Sequence, residues 1–408
     1  MLPPEVAWER LLPHLEPVVS SLGTARRRRV VARRVARIES AGRVLAAPVV
    51  ATTDVPAADV SAMDGYALAG AVEAGAGLPV VATVAAGDPP GRRLAAAAAM
   101  RIMTGGTVPA GADRVIPVEA TDGGEQDVLI RRPVPEGAHI RRRGEIVRAG
   151  TELLAPGTEL TPPALALLAA QGVGAVEVFA PPRVAFLSTG NEVVPPEAEP
   201  APGQLRDSHT DFLAAECAAL GVSFTALGIA ADDPESLRRR LAPGLAADVL
   251  LLSGGVSKGA FDYVAGILAE LRCETLFHGV AIQPGKPLLA ARHAAGLVFG
   301  LPGNPASVMC AFWLFVRPAL RRLGGHSDGL WEGAVRATLD GPLPPGKDRH
   351  RFFPALLTVR DGAPHAEPLV DKGSHDLATW GRARALVRVR PGDPAREPGD
   401  PCEVLELR

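Results

Sequence analysis

Apolar and polar positions along the chain fall into distinct textures. Near the start, Val30, Val31, Val35, Ile38, Val44 and Leu45 form a loose apolar stripe beside a basic run. That run comprises Arg26, Arg27, Arg28, Arg29, Arg33, Arg34 and Arg37. The spacing predicts a helical segment with one solvated face over the first fifty residues. From 51 to 144, short β-branched runs at 80–84, 115–118 and 128–130 alternate with Gly and Pro turns. That pattern predicts a small β-rich module. A Thr-Pro-Pro start at 161–163 then opens an apolar-faced helix reaching 171.

From 182 to about 323 the texture changes again. Strand-like runs at 184–187, 222–229, 248–252 and 297–299, the first continuously apolar, alternate with helical stretches at 212–220, 234–241, 260–271 and 306–320. Buried strands linked by helices predict a parallel sheet covered on both faces. The remainder, 324–408, is β-like and rich in Pro and Gly, and it predicts a small barrel or sandwich.

Composition narrows the classes. The chain has 408 residues, of which 47% are hydrophobic, 22% charged and only 4% aromatic. This describes a multidomain globular protein whose core is filled mainly by Ala, Val and Leu. Lys and Arg number 43 against 45 Asp and Glu, so no whole-protein field attracts nucleic acid or a membrane surface. The basic run has no interleaved aromatics for base stacking. The most apolar stretch, 163–180, is interrupted by Gln171 and Glu177, short of the ~20 residues a spanning helix needs. The first ten residues carry acidic positions where a signal peptide is basic, and a cytoplasmic protein is expected. Cys217, Cys273, Cys310 and Cys402 lie far apart, with no Cys-x-x-Cys pair, so neither a disulfide framework nor a zinc site is predicted.

Candidate chemistry concentrates in three loops of the α/β segment. They are Ser188-Thr189-Gly190-Asn191-Glu192, Ser253-Gly254-Gly255-Val256-Ser257-Lys258-Gly259 and Gly300-Leu301-Pro302-Gly303-Asn304-Pro305-Ala306-Ser307. Each follows an apolar strand and leads towards a helix. In an open parallel sheet, ligands bind beyond the carboxyl ends of the strands, where glycines let the backbone approach. Three such loops point to a phosphorylated or oxyanionic ligand. Carboxylates beside them suggest Mg²⁺, with Asp207 and Asp262 as the candidate ligands. Asp248 marks the start of a strand, and Asp232-Asp233-Pro234 reads as a helix cap. No Gly-x-x-x-x-Gly-Lys-Ser/Thr is present, which disfavours a P-loop enzyme. Gly255-Val256-Ser257-Lys258-Gly259 does match the Gly-x-Ser-x-Gly elbow of serine hydrolases, with Asp262, His278 and His293 following in order.

Two turn-rich stretches lie in the β-rich module, Ser61-Ala62-Met63-Asp64-Gly65-Tyr66-Ala67 and the run 101–113 with Met103-Thr104-Gly105-Gly106. Alone, both read as hairpin turns. Together with the three loops, Gly203-Gln204-Leu205-Arg206-Asp207-Ser208 and Pro284-Gly285-Lys286-Pro287, they resemble the molybdopterin molybdenumtransferase family, MoeA and the gephyrin E-domain. The motifs occur in family order from about residue 10 to 325. Lys372-Gly373-Ser374-His375-Asp376 resembles the family's C-terminal domain less specifically.

The resemblance implies a homodimer of four-domain subunits. A discontinuous helical and linker domain would take 1–50 and 145–180, an inserted β-rich domain 51–144, an α/β molybdopterin-binding domain 181–325, and a β-barrel domain 326–408. The implied reaction inserts molybdate into adenylylated molybdopterin with Mg²⁺ and releases AMP. It further implies catalytic roles for Asp64, Thr104, Glu192, Asp207, Asp262 and Lys286, with Mg²⁺ near Asp207 and Asp262. Ser188, Thr189, Gly190, Ser253, Gly254, Gly255 and Ser257 would bind the pterin and nucleotide. Pro284, Gly285, Pro302, Gly303, Asn304, Pro305 and Ser307 would complete that cradle. The site would lie between the α/β domain of one subunit and the β-rich domain of the other. Molybdopterin adenylyltransferase and molybdoenzyme maturation proteins are the implied partners.

The chain departs from the family pattern at Ile146, where a carboxylate is common, at Asn191, and at Gly279 and Gln283, where basic residues are common. Losing cations weakens capture of a dianion, with Lys258, Arg141, Arg142, Arg143 and Arg292 as possible substitutes. Rival readings are a non-catalytic molybdopterin-binding paralogue, a tungstate-preferring variant and a hydrolase using Ser257.

Overall fold

The computed structural model describes residues 1–15, 32–255, 263–294 and 296–407. The chain divides into two units, 1–46 with 177–408, and 47–176.

At the N-terminus, a helix forms at Pro4–Leu11. Proline stands in its first turn, Glu5 lies near its start and Arg10 near its end, in accord with the helix dipole. Ala7, Trp8 and Leu11 are buried. The predicted helical stripe is corrected. Val30, Val31 and Arg26, Arg27, Arg28 and Arg29 lie outside the described residues. Beyond them, Ala32–Ala36 is a strand and Arg37–Ser40 a single 3₁₀ turn. The turn at Gly42, with φ +71°, ends any helical continuation.

In the unit 47–176, five strands form a sheet in the order Arg114–Pro117, Gly65–Leu68, Ala99–Ile102, Gly77–Val84 and Asp127–Leu129. Three of these coincide with the predicted β-branched runs. Gly65–Leu68 and Ala99–Ile102 were hidden in a turn-rich stretch and an alanine cluster. Gly65 is required there, because a Cβ would lie 2.0 Å from the Ile116 carbonyl oxygen across the ladder.

The larger unit is built on a six-stranded sheet. Its order is Ser223–Ala230, Arg183–Thr189, Val249–Ser253, Leu297–Leu301, Leu289–Arg292 and Glu274–His278. The first four strands are mutually parallel, as the pattern predicts, and Leu289–Arg292 runs antiparallel to its neighbours. Alternation sorts side chains onto two faces. Val184, Phe186, Val249, Leu251, Leu297 and Phe299 enter one core, while Ala185, Leu187, Leu250, Leu252 and Val298 enter the other. Helices His209–Ala219 and Pro305–Ala311 contribute to the first core, and Pro234–Gly244 and Val264–Glu270 to the second. After Pro305–Ala311 the helix widens into a π-type turn at Phe312–Val316 before Arg317–Leu323.

The C-terminal strands close on themselves. His350–Arg360 pairs with Ala363–Pro368 along one half and with Ala385–Val389 along the other. Ala334–Leu339 and Pro401–Glu406 complete a five-stranded barrel. Ile282–Gln283 adds to the start of the long strand, pairing Ile282 with His350 and Gln283 with Arg351. This short parallel pairing brings the Pro284-Gly285-Lys286-Pro287 loop against the barrel.

One buried cation fastens the N-terminal helix to the barrel. Arg388 donates to Glu5 and Glu403, each at 3.1 Å, and its Nε donates to His350 Nδ1 at 3.1 Å. Its guanidinium lies 3.8 Å from the centre of the Trp331 ring. Burial, then the charge of Arg388, holds the His350 pKa below its ordinary value of 6.5, with Arg390 adding to this and Glu5 and Asp393 opposing it. The folded protein therefore binds fewer protons than the unfolded chain below pH 6.5. Stability from this contact is complete above that pH and is lost as pH falls. Urea unfolding midpoints should decline between pH 7 and pH 5. His350→Gln, which keeps an acceptor without the proton site, should flatten the decline. An unchanged slope would contradict the assignment.

Candidate functional site

The order of the sheet creates a switch point. From Arg183–Thr189 the chain passes first to Ser223–Ala230 on one side and then to Val249–Ser253 on the other. Loops leaving the two central strands diverge and open a crevice beyond their carboxyl ends. The predicted loops at 188–192 and 253–255 lie there.

The crevice floor is held tightly. Thr189 Oγ1 donates to the Ser253 carbonyl at 3.0 Å, and Ser188, Thr189 and Ser253 are all buried. Gly254 has φ +89°, and a Cβ there would lie 2.6 Å from the Thr189 carbonyl oxygen. Gly255 has φ +62° and would meet Val264 Cγ2 at 3.0 Å. The third loop reaches the same point. Gly254 N donates to the Leu301 carbonyl at 3.2 Å, and a Cβ on Gly303 would come within 3.8 Å of Gly254 Cα. Glu192 folds its carboxylate back under Gly190, where a Cβ would lie 2.8 Å from it.

Asp207 caps the helix His209–Ala219. Its Oδ1 accepts from the backbone N of His209 and Thr210 at 2.9 and 3.2 Å, and its Oδ2 accepts from Thr210 Oγ1 at 2.6 Å. His209 Nδ1 lies 3.0 Å from Ser253 Oγ, linking this cap to the glycine loop. Burial depresses the His209 pKa, opposed by the charge of Asp207. Asp233 is the helix cap that the sequence suggests, accepting from Ser236 N at 2.8 Å. Asp232 instead stands beside Glu192, and burial, reinforced by that carboxylate, raises its pKa.

A second cavity of about 410 Å³ opens alongside. Its walls come from Pro284, Gly285 and Lys286, from Pro302, Gly303, Asn304 and Ser307, and from the barrel. The barrel supplies Arg349, Arg351, Phe353, Asp371 and Ser374. Asn304 Nδ2 donates to Ser374 Oγ at 2.8 Å and Ala306 N donates to the Ser374 carbonyl at 3.1 Å, latching the two walls. Because Ser374 Oγ accepts from Asn304, its own O–H is left to donate elsewhere. Arg351 lies 4.7 Å from the centre of the Phe353 ring. Lys286, Arg349 and Arg351 outnumber Asp371 on the walls, although Arg349 also pairs with Asp348 at 3.4 Å, and this balance suits the cavity to an anion.

Asp64 and Thr104 meet in the other unit. Thr104 N and Thr104 Oγ1 donate to Asp64 Oδ1 at 2.6 and 2.7 Å. These two bonds, the backbone one first, hold the exposed Asp64 carboxyl below its usual pKa.

Among the described residues, the structure thus groups predicted site residues into three sets: the crevice, the cavity and the Asp64–Thr104 pair. Asp262, Ser257 and Lys258 lie outside the described residues, so the hydrolase elbow and half of the metal pair have no geometry here. Among the substitute cations that the sequence suggests, three stand beside carboxylates. Arg142 pairs with Asp59, Arg143 with Asp54 and Arg292 with Glu274. The charges that do line the cavity, Arg349 and Arg351, were missed, although the run Arg349-His350-Arg351-Phe352-Phe353 was a visible signal. His209 was also missed, and its only signal was its place two residues after Asp207.

Gly254→Ala should weaken binding of AMP, as a phosphate-bearing probe, by more than about tenfold, since the left-handed conformation costs a side chain ~1–2 kcal/mol before any clash. Calorimetric titration checks this, and wild-type affinity would contradict it.

Comparison with known proteins agrees with this geometry. Residues 2–172 match the MoeA N-terminal region, domains I and II. Residues 185–322 match a probable molybdopterin binding domain, and 336–407 match the MoeA C-terminal region, domain IV. A molybdopterin molybdenumtransferase of Nostoc sp. is 40% identical over 338 residues, covering 81% of this chain and 77% of the relative. Molybdopterin molybdenumtransferase 2 of Mycobacterium tuberculosis is 38% identical over 321 residues, covering 76% and 78%. The crystal structure of a molybdopterin biosynthesis MoeA protein from Pyrococcus horikoshii superposes with a TM-score of 0.79 at 31% identity, covering 100% of this chain and 99% of that one. With the same three regions in the same order and the sheet, loops and barrel described above, the chain belongs to the molybdopterin molybdenumtransferase, or MoeA, family.

Proposed function

We propose that this protein acts in molybdenum cofactor biosynthesis as a transferase that inserts molybdate into adenylylated molybdopterin and releases AMP. Its relatives carry the name of that activity. The observation that supports it best is one shared loop. Pro302, Gly303 and Asn304 line the cationic cavity, and Gly303 also approaches Gly254 in the glycine crevice. A phosphate held in the crevice and an oxyanion held in the cavity would be neighbours across that loop.

Each group of residues has a physical task in this reading. Gly254 and Gly255 let backbone approach the pterin phosphate and adenylate. Lys286, Arg349 and Arg351 offset the double charge of molybdate, and Ser374 offers a hydroxyl donor. Such preorganised charge lowers the cost of bringing a dianion beside a pyrophosphate. Arg351 stands in register with Gln283, so a cation on the neighbouring strand occupies ground where the family pattern has a basic residue. This favours turnover over the binding-only paralogue.

Mg²⁺ fits one carboxylate here. Asp207 Oδ1 already accepts two bonds and Oδ2 one, which leaves a lone pair on Oδ2. Among the described residues no three His, Cys, Asp or Glu side chains converge. Asp207, joined by Asp262, would therefore hold the ion together with phosphate oxygens and water, the mixed set Mg²⁺ prefers. When bound, the ion would neutralise phosphate charge during loss of AMP. A homodimer, with Asp64 and Thr104 completing the partner's site, fits the same reading. Molybdopterin adenylyltransferase would supply the nucleotide substrate, and molybdoenzyme maturation proteins would receive the product in the cytoplasm. Among the described residues no helix is long and apolar enough to cross a membrane.

Purified protein given adenylylated molybdopterin, Mg²⁺ and low molybdate should release AMP and reconstitute a cofactor-free molybdoenzyme. Nucleotide binding without either signal, with tungstate also tried, would favour the binding paralogue. Asp64→Asn and Asp207→Asn should each lower turnover by at least about tenfold, within the range for lost acid, base or electrostatic groups. Mixed together, the two variants should regain activity through heterodimers that carry one intact site. Absence of rescue would argue against a site shared between subunits.

A further inference from the structure

The cavity carries one acidic residue, Asp371, among its described lining residues, facing a space shared by Lys286, Arg349 and Arg351. A free carboxylate at that place would repel an oxyanion. Both of its oxygens are engaged by the barrel instead. Oδ2 accepts the indole N–H of Trp380 at 2.8 Å, and Oδ1 accepts Gly373 N at 3.3 Å. Trp380 is only 1% exposed and packs into the core beneath the sheet. It ends the short helix Leu377–Trp380, whose start is fixed by Asp376. Asp376 accepts Thr379 N at 3.1 Å and Lys372 N at 3.0 Å. The indole is therefore immobilised from both sides. An indole N–H can only donate, so it suits a carboxylate and nothing cationic.

We propose that Trp380 is a positioning residue for oxyanion binding: its N–H tethers Asp371 to the barrel wall and keeps that carboxylate from meeting the anion. The inference rests on the oxyanion reading of the cavity given above. Without the tether, the half-buried Asp371 would keep only the 3.3 Å bond from Gly373 N and could turn its Oδ2 into the cavity. It would then compete for the cations and place a negative charge beside the ligand. Juxtaposed like charges across a binding site are strongly unfavourable.

Trp380→Phe keeps the buried ring and removes only the donor. In the full-length protein, the molybdate Kd by calorimetry and the molybdate KM should each rise by at least about tenfold. The kcat at saturating molybdate should stay near wild type, a split that general loss of structure would not give. Adding Asp371→Asn to Trp380→Phe should restore the molybdate Kd, since an amide has no charge to repel. Unchanged affinity in Trp380→Phe would overturn the inference. So would a double variant as weak as the single one, which would mean loop distortion rather than charge. Should Trp380→Phe not fold, Asp371→Asn alone decides: molybdate affinity close to wild type supports the tether, because a tethered carboxylate does not meet the anion, and a change of about tenfold in either direction overturns it. A wild-type protein indifferent to molybdate in both assays would overturn the oxyanion reading itself, and the tether with it.

Discussion

Position 254 has no room for a side chain. There the backbone of the glycine loop passes within van der Waals range of Thr189, accepts a left-handed turn, and is bonded to Leu301 of the next strand. Close approach of three strand ends is the constraint on which the site depends. It draws the loops at 188–192, 253–255 and 300–307 into one junction, and it aligns Ser253 with His209 and the Asp207 cap. The rest of the sheet serves that junction. Alternating side chains bury both faces of Arg183–Thr189 and Val249–Ser253, so the strand ends cannot drift.

The second requirement is charge, and it is met from outside the α/β sheet. A short parallel pairing between Ile282–Gln283 and the barrel strand starting at His350 places Arg349 and Arg351 beside Lys286. The Asn304–Ser374 bond then closes the other wall. The barrel thus supplies one wall of the cation-lined cavity. Phe352, Trp380 and Leu386 of the barrel share the core of the α/β sheet, and Arg388, bonded to Glu5, Glu403 and His350, adds a charged link to the N-terminal helix.

Much of this was legible in the chain. Apolar runs announced three of the four parallel strands and a mixed run the fourth, and glycine-rich loops announced the crevice, because periodicity and turn chemistry are local properties. Elements that depend on distant partners were not legible. Leu289–Arg292 is a strand because Leu297–Leu301 lies beside it, and its own sequence, Leu-Leu-Ala-Ala-Arg from 288, carries no strand signature. The Arg351 contribution depends on the pairing of Ile282–Gln283 with the long barrel strand, which brings Arg351 to Lys286, 65 positions away in sequence. Arg142, Arg143 and Arg292 looked available for the same reason in reverse: their carboxylate partners could not be read from spacing. The family motifs singled out Asp64 and Thr104, whose pairing no general rule of composition predicts.

The decisive observation is where molybdenum sits. Crystals of the protein soaked in molybdate, measured at the molybdenum absorption edge, would locate the metal by its anomalous scattering alone. A peak in the cavity bounded by Lys286, Arg351 and Ser374 is the predicted result. A peak confined to another surface, or none at saturating molybdate, would contradict the assignment of that cavity.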